Sequence, residues 1–310
     1  MKKMKNTTHI EGYVYEHKLE KKVSGPNSKT PNTPFINGTL SIATDNDCTN
    51  VVSVHFSYVT ETTKAGSPNA TYKLLESIID GKVGSVMGDG KDNAGMVRID
   101  SALDLNEWYD KDGNLVSVKR NEGGFLHQTN VLSDDENQRA TFEVDMVITN
   151  VKRVEADEDK GTPEKVVIRG VVFNFRNAIL PMEFSVLHPG AMNYFESLEA
   201  TSKNPVFTKV KGKQVSTTVV KKVEETSAWG EVTVKEVKSS ARDFVINWAQ
   251  QEPYEWDSES TILAEELSEA MTNRNVYLAE VKQRQDEYQA SKGNAIKNVA
   301  AAPTKGTYNF

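Results

Sequence analysis

The 310-residue sequence holds one cysteine, Cys48, so neither an intrachain disulfide nor a cysteine-built zinc site can form. That absence favours a reducing compartment, the cytoplasm. There is no global basic signal either: 37 lysines and arginines stand against 44 aspartates and glutamates, for a net charge of −7. No apolar run approaches the ~20 residues of a membrane span. The opening MKKMKNTTHIEG has lysines but no apolar core, so it does not read as a signal peptide. Five scattered histidines form no HxxxH or HExxH pair. Gly84–Lys91 is glycine-rich but lacks the Ser/Thr and the spacing of a P-loop. Asp89–Asn93 fails the calcium-loop pattern, because its third residue is Lys91. These gaps point to a protein that is not an enzyme and has no cofactor, no metal and no membrane partner.

What is present is β-structure. In Thr141–Phe175, Phe142, Val144, Met146 and Ile148 alternate with polar residues, the period of a strand with one buried face. Val166–Phe175 reads as a second strand, across a polar linker with Gly161 and Pro163. Upstream, His9–Val23, Phe35–Thr44 and Val51–Thr60 read as strands. Asn69–Asp80 has the helical spacing Tyr72, Leu75, Ile78, Ile79. Gly81–Gly95 reads as a mobile glycine-rich loop. Met96–Trp108 and Leu115–His127 read as strands around the turn at Asp110–Asn114.

The second half repeats this order. Ile168-Arg169-Gly170 echoes Ile36-Asn37-Gly38, and His188–Leu198 echoes Ser67–Ser77 as the following helix. Met182–Leu187 is the third strand, Phe207–Val223 a hairpin-like segment and Ser240–Trp248 a closing strand. The order β-β-β-α-β-β therefore occurs twice, which suggests duplication. Val144–Glu155 aligns with Tyr13–Val23, yet it also falls where the first unit needs its fifth strand, so one long strand is expected to serve both. Beyond Trp248, Ser258–Lys292 reads as a helix with a stripe of Leu263, Leu267, Met271, Tyr277, Leu278, Val281 and Tyr288, and Ser260 as its cap. Gly293–Phe310 reads as a flexible tail.

Three strands, a helix and two more strands is the order of the OB fold, and a glycine within strand 2 suits a barrel bend. Over about residues 9–250 the chain resembles tandem OB-fold single-stranded DNA-binding proteins, in particular those encoded by large bacteriophages. The resemblance implies a mainly β chain of two five-stranded barrels, each with a helix between strands 3 and 4. The expected units are residues 1–140, 141–250, a helix at 251–292 and a tail at 293–310. It also implies non-sequence-specific single-stranded DNA binding in replication, recombination or repair, in the host cytoplasm. Replication or recombination proteins, recruited through the C-terminal helix, are the further partners it suggests.

Single-strand binders use aromatics to stack bases and basic side chains to follow the backbone. On the first unit these are Tyr13, Tyr15, Lys18 and Lys22, with Lys119 and Arg120 as a weaker pair. The strongest charge feature is Ala200–Val223, where Lys203, Lys209, Lys211, Lys213, Lys221 and Lys222 meet no acid. Lys209, Lys211 and Lys213 with Arg169 are the second unit's candidates, and Lys152 and Arg153 would lie at the seam. Further aromatic candidates are His55, Phe56, Tyr58, Trp108, Tyr109, Phe125, Phe173, Phe175, Trp229 and Trp248; Phe173 and Phe175 read more readily as core. The rival reading is a structural or virion-associated phage protein using its barrels for protein contacts, and a weaker one is an accessory enzyme of nucleotide processing.

Overall fold

The computed structural model describes residues 4–157, 162–226, 232–256 and 264–300, with the side chains of 217–241 and 291–300 left aside. It is mainly β with a C-terminal helix. β1 (Asn6–Val23), β2 (Pro34–Ala43), β3 (Val51–Thr60), α1 (Ala70–Ile79), a short α2 (Val86–Asp89), β4 (Met96–Tyr109) and β5 (Leu115–Gln128) make the first unit. β6 (Ala140–Val154), β7 (Lys165–Phe173), β8 (Ile179–Val186), α3 (Pro189–Ser197), β9 (Val206–Thr226) and β10 (Val232–Ala249) make the second, and α4 spans Ala264–Ala300.

Each set of strands closes on itself. The first runs β1-β2-β3-β5-β4 and returns to β1, with β3 and β5 parallel; the second runs β6-β7-β8-β10-β9 and returns to β6, with β8 and β10 parallel. These are two OB-like five-stranded barrels, each with a helix between strands 3 and 4. β1 is long enough to bend, giving Thr8–Tyr13 to β4 and Tyr13–Val23 to β2, with a register slip at Tyr15. Two glycines let strand 2 cross strand 1 closely. A Cβ on Gly38 would sit 2.0 Å from the Lys18 carbonyl oxygen, and one on Gly170 would sit 2.2 Å from that of Val147.

The apolar faces fill separate cores. Ile10, Val14, Leu40, Phe56, Ile99 and Leu126 pack in the first barrel, and α1 closes it with Tyr72, Leu75 and Ile78. Asn69 caps α1 by accepting from the Thr71 N–H. In the second, Phe142, Val144, Phe184 and Phe244 pack with Met192 and Phe195 of α3 and with Leu103 and Leu105, which arrive from β4. A third cluster, Val147, Phe173 and Phe207, lies outside the second barrel and is covered by Met4, Tyr254, Trp256, Leu267 and Ala270.

Several expectations need correction. No strand is shared as a fifth strand: β5 closes the first barrel, and β6 instead pairs antiparallel with the start of β1, from Asn6↔Val144 to Ile10↔Ala140. The two first strands thus join the rings into one ten-stranded sheet. Phe207–Val223 lies within a single strand that hairpins with β10. Gly81–Gly95 contains α2, capped by Ser85, and a turn of 3₁₀ helix at Lys91–Asn93. On α4 the packed stripe is Leu267, Ala270, Arg274, Leu278, Val281 and Gln285, while Met271, Tyr277 and Tyr288 are exposed. Arg274 is drawn inward by Glu107, with Nη2 at 2.5 Å from Oε1, and this pair fixes the rotation of the helix. Ser260, Leu263 and the end of the tail fall outside the described residues.

Candidate nucleic-acid interface

The outward positions of β2 and β3 in the first barrel are Thr39, Ser41, Ser53 and His55. Strands 2 and 3 are the face that OB folds offer to oligonucleotides. Here that face forms one wall of a cleft of about 600 Å³ between the barrels. The other wall is built by Gln214, Val215 and Ser216 of β9 and by Arg242, Asp243 and Phe244 of β10, with Lys119, Arg120 and Asn121 of β5 along the base.

Side-chain amides hold the walls together. Asn121 Nδ2 donates to Gln214 Oε1 at 2.9 Å, and Gln214 Nε2 donates back to Asn121 Oδ1 at 3.0 Å. Asn50 Nδ2 donates to the Gln214 carbonyl, and Asn50 Oδ1 accepts from the Ser216 N–H. A buried amide pair with both partners satisfied specifies one arrangement of the barrels.

The charge of the cleft is positive where it is not self-cancelled. Arg242 Nη2 donates to Ser53 Oγ at 3.0 Å. Lys119 donates to the Glu183 carbonyl at 2.5 Å, and its Nζ lies 4.7 Å from the Phe244 ring centroid. Burial among these groups lowers the Lys119 pKa, with Asp243 and Glu183 pulling the other way. Arg120 has Glu122 at 3.0 Å and Asp104 at 3.6 Å. Asp243 is engaged by Lys165 at 3.1 Å and Ser185 at 2.6 Å, so its charge is already matched. Burial also lowers the His55 pKa; Glu122 opposes this and Arg120 adds to it.

The lysine row on β9 is present, but its isolation in sequence is lost in space. Thr141↔Lys213, Glu143↔Lys211 and Asp145↔Lys209 are cross-strand partners on β6. Glu143 lies 3.6 Å from Lys209 and 3.7 Å from Lys211. Burial pulls the Lys209 ammonium down, but Asp145, Tyr254 and Glu143 together raise its pKa above the ordinary value. Lys213 donates to Asn137 at 3.1 Å, and Lys211 sits over the exposed Trp248 ring at 5.0 Å.

The remaining candidates scatter. Half-buried Tyr13 lies under Lys91 at 5.1 Å, and neither it nor half-buried Tyr15 lines the cleft. Lys18 is exposed on β1, and Lys22 pairs with Glu20 at 2.7 Å. Lys152 is exposed, whereas Arg153 is held by Glu196 and Glu164, each at 2.7 Å, beside α3 rather than between the barrels. Arg169 is paired with Glu183 at 2.5 Å. Phe56 and Phe173 are fully buried, and Phe175 is exposed with Arg176 over its ring. Trp229 lies outside the described residues. Sequence reading missed Arg242 as a cleft residue. Its only signal was its place two residues before core Phe244 on the same face of a strand, and that gives no hint of the facing barrel.

Fold and site together define a two-barrel OB protein with a cationic cleft where the barrels meet. The family model of YorF matches residues 5–284, and the chain belongs to that family. No curated protein matches. Among solved structures, the wild-type single-stranded DNA binding protein from Thermus aquaticus is similar at 9% identity, over 85% of this chain and 98% of that one, with a TM-score of 0.44. A deletion mutant of the same protein matches at 11% identity, over 84% and 100%, also with a TM-score of 0.44. Overlap at that level is too loose to carry function across.

Proposed function

We propose that the protein binds single-stranded DNA without sequence preference, in replication, recombination or repair of the kind the phage resemblance implies. The supporting observation is the cleft: a strand 2–3 face left open, with Lys119 and Arg242 beside it. The cations hold phosphates as charges, and His55 offers ring surface to bases. In this reading residues 1–140 and 141–250 are the binding units and 251–292 a strap across them. Direct phosphate contacts make the affinity fall with salt, by about 0.7 in log–log slope for each phosphate neutralised. Titration with labelled oligo-dT at two salt concentrations tests this. Binding that weakens with salt is the expected result, and no binding at low salt refutes the proposal.

A further inference from the structure

A second depression, of about 570 Å³, lies at the seam where β1 meets β6, and is lined by Lys5, His9, Glu143, Lys211 and Trp248 among others. Its notable member is Trp248. Phe244 and Ile246 point into the second core from alternate positions of β10, so regular alternation would send residue 248 inward too. The β9–β10 register slips between Ile246 and Trp248, and the indole emerges on the outside, 46% exposed. A bulge that re-aims one side chain is a recurrent device beside binding sites. The Lys211 ammonium lies over one face of the ring, 5.0 Å from its centroid, a cation–π contact that holds the indole and leaves a positive charge beside it.

The seam is also connected to the cleft. Lys211, Lys213 and Val215 share one face of β9. Lys211 lines the seam depression, Lys213 and Val215 line a smaller hollow beside Asn50 and Asn137, and Val215 also lines the cleft. At ~3.3 Å per residue the row from Lys211 to Val215 is about 13 Å long.

We propose that Trp248 and Lys211 form a base-stacking subsite outside the cleft, reached by one DNA strand that passes along Lys213. This rests on the single-strand-binding reading above. The ligand is a nucleobase of any identity with its flanking phosphate, because an indole face stacks on every base.

The test uses the full chain, with anisotropy of labelled oligo-dT of about six and about twenty nucleotides, a range bracketing one OB-fold site. Trp248→Ala is expected to weaken the long oligonucleotide about 5- to 150-fold, the loss of one base–aromatic stack, and to leave the short one unchanged. Trp248→Phe is expected to restore most of the loss, which separates stacking from a folding defect. Wild-type binding with an unchanged long-oligonucleotide affinity in Trp248→Ala overturns the subsite and leaves the cleft reading standing. Absence of wild-type binding to either length overturns both.

Discussion

The two barrels share a ring order and a strand-2 glycine pressed against strand 1, yet their strand 2–3 faces carry charge differently. In the first, Thr39, Ser53 and His55 look into an open cleft. In the second, Arg169, Val171, Pro181 and Glu183 line an open groove of about 620 Å³, to which the β4–β5 arm and α4 contribute Leu105, Lys119, Arg274 and Leu278. The ion pair between Arg169 and Glu183 cancels the charge that remains. Equal topology therefore does not give equal binding faces. Whether the charges of a face already have partners decides what it can hold.

The largest effect should come from the strand that joins the barrels. Ala140 packs in the first core and Phe142 in the second, two residues apart on β6. Phe142→Asp puts an unpaired charge among Phe184 and Phe244 and should cost more than about 4 kcal/mol. Denaturant melts followed by hydrogen exchange should show both barrels lost in one transition. A first barrel that stays protected would mean the cores are not coupled, and would favour the 1–140 and 141–250 units as independent bodies.

Next is the strap. Arg274→Ala leaves the Glu107 carboxylate, only 2% exposed, without its cation, at a cost of about 3–5 kcal/mol. Exchange in β7 and β8 should quicken as α4 lets go. A loss below about 1 kcal/mol would show that the pair does not hold α4 to β4.

Charge removal should separate the two faces directly. Lys119→Gln with Arg242→Gln should weaken oligo-dT binding by about 2 kcal/mol, roughly 30-fold, and flatten the salt slope. Arg169→Gln should leave affinity alone, since Glu183 already holds that guanidinium. Equal losses from both would erase the distinction between the faces.

The smallest effect is a pH dependence. Burial lowers the His55 pKa, so as pH falls below about 6.5 the unfolded chain takes up the proton first and stability declines toward the lowered folded value. A phosphate beside the ring raises that pKa, so DNA affinity should rise over the same window. Titrations of His55→Gln should give a flat profile there; an unchanged slope would remove His55 from the interface.

Element order was legible because alternation and helical spacing are local: β3 was placed to the residue, and the ends of β4, β5 and β6 fell within a few residues. The lysine row was legible as composition but not as charge, because its counter-ions Glu143 and Asp145 lie some sixty residues upstream and meet it only through β6–β9 pairing. The cleft itself was not legible. It depends on how one barrel sits on the other, and the groups that fix this, Asn50, Asn121 and Gln214, are ordinary polar residues until they face each other. Tyr13 and Tyr15 drew attention through neighbouring lysines on the same strand, but alternation and the slip at Tyr15 turn these side chains to different surroundings.

The pairing of β1 with β6 has a consequence for dilution. Two separate single-barrel chains joined by the same short ladder would exchange with free subunits, and the groove between them would vanish at low concentration. Here the linkage is covalent, so the partner's effective concentration is fixed by a short connection and does not fall when the protein is scarce. A groove made this way is as complete in the first few molecules made as in the thousandth.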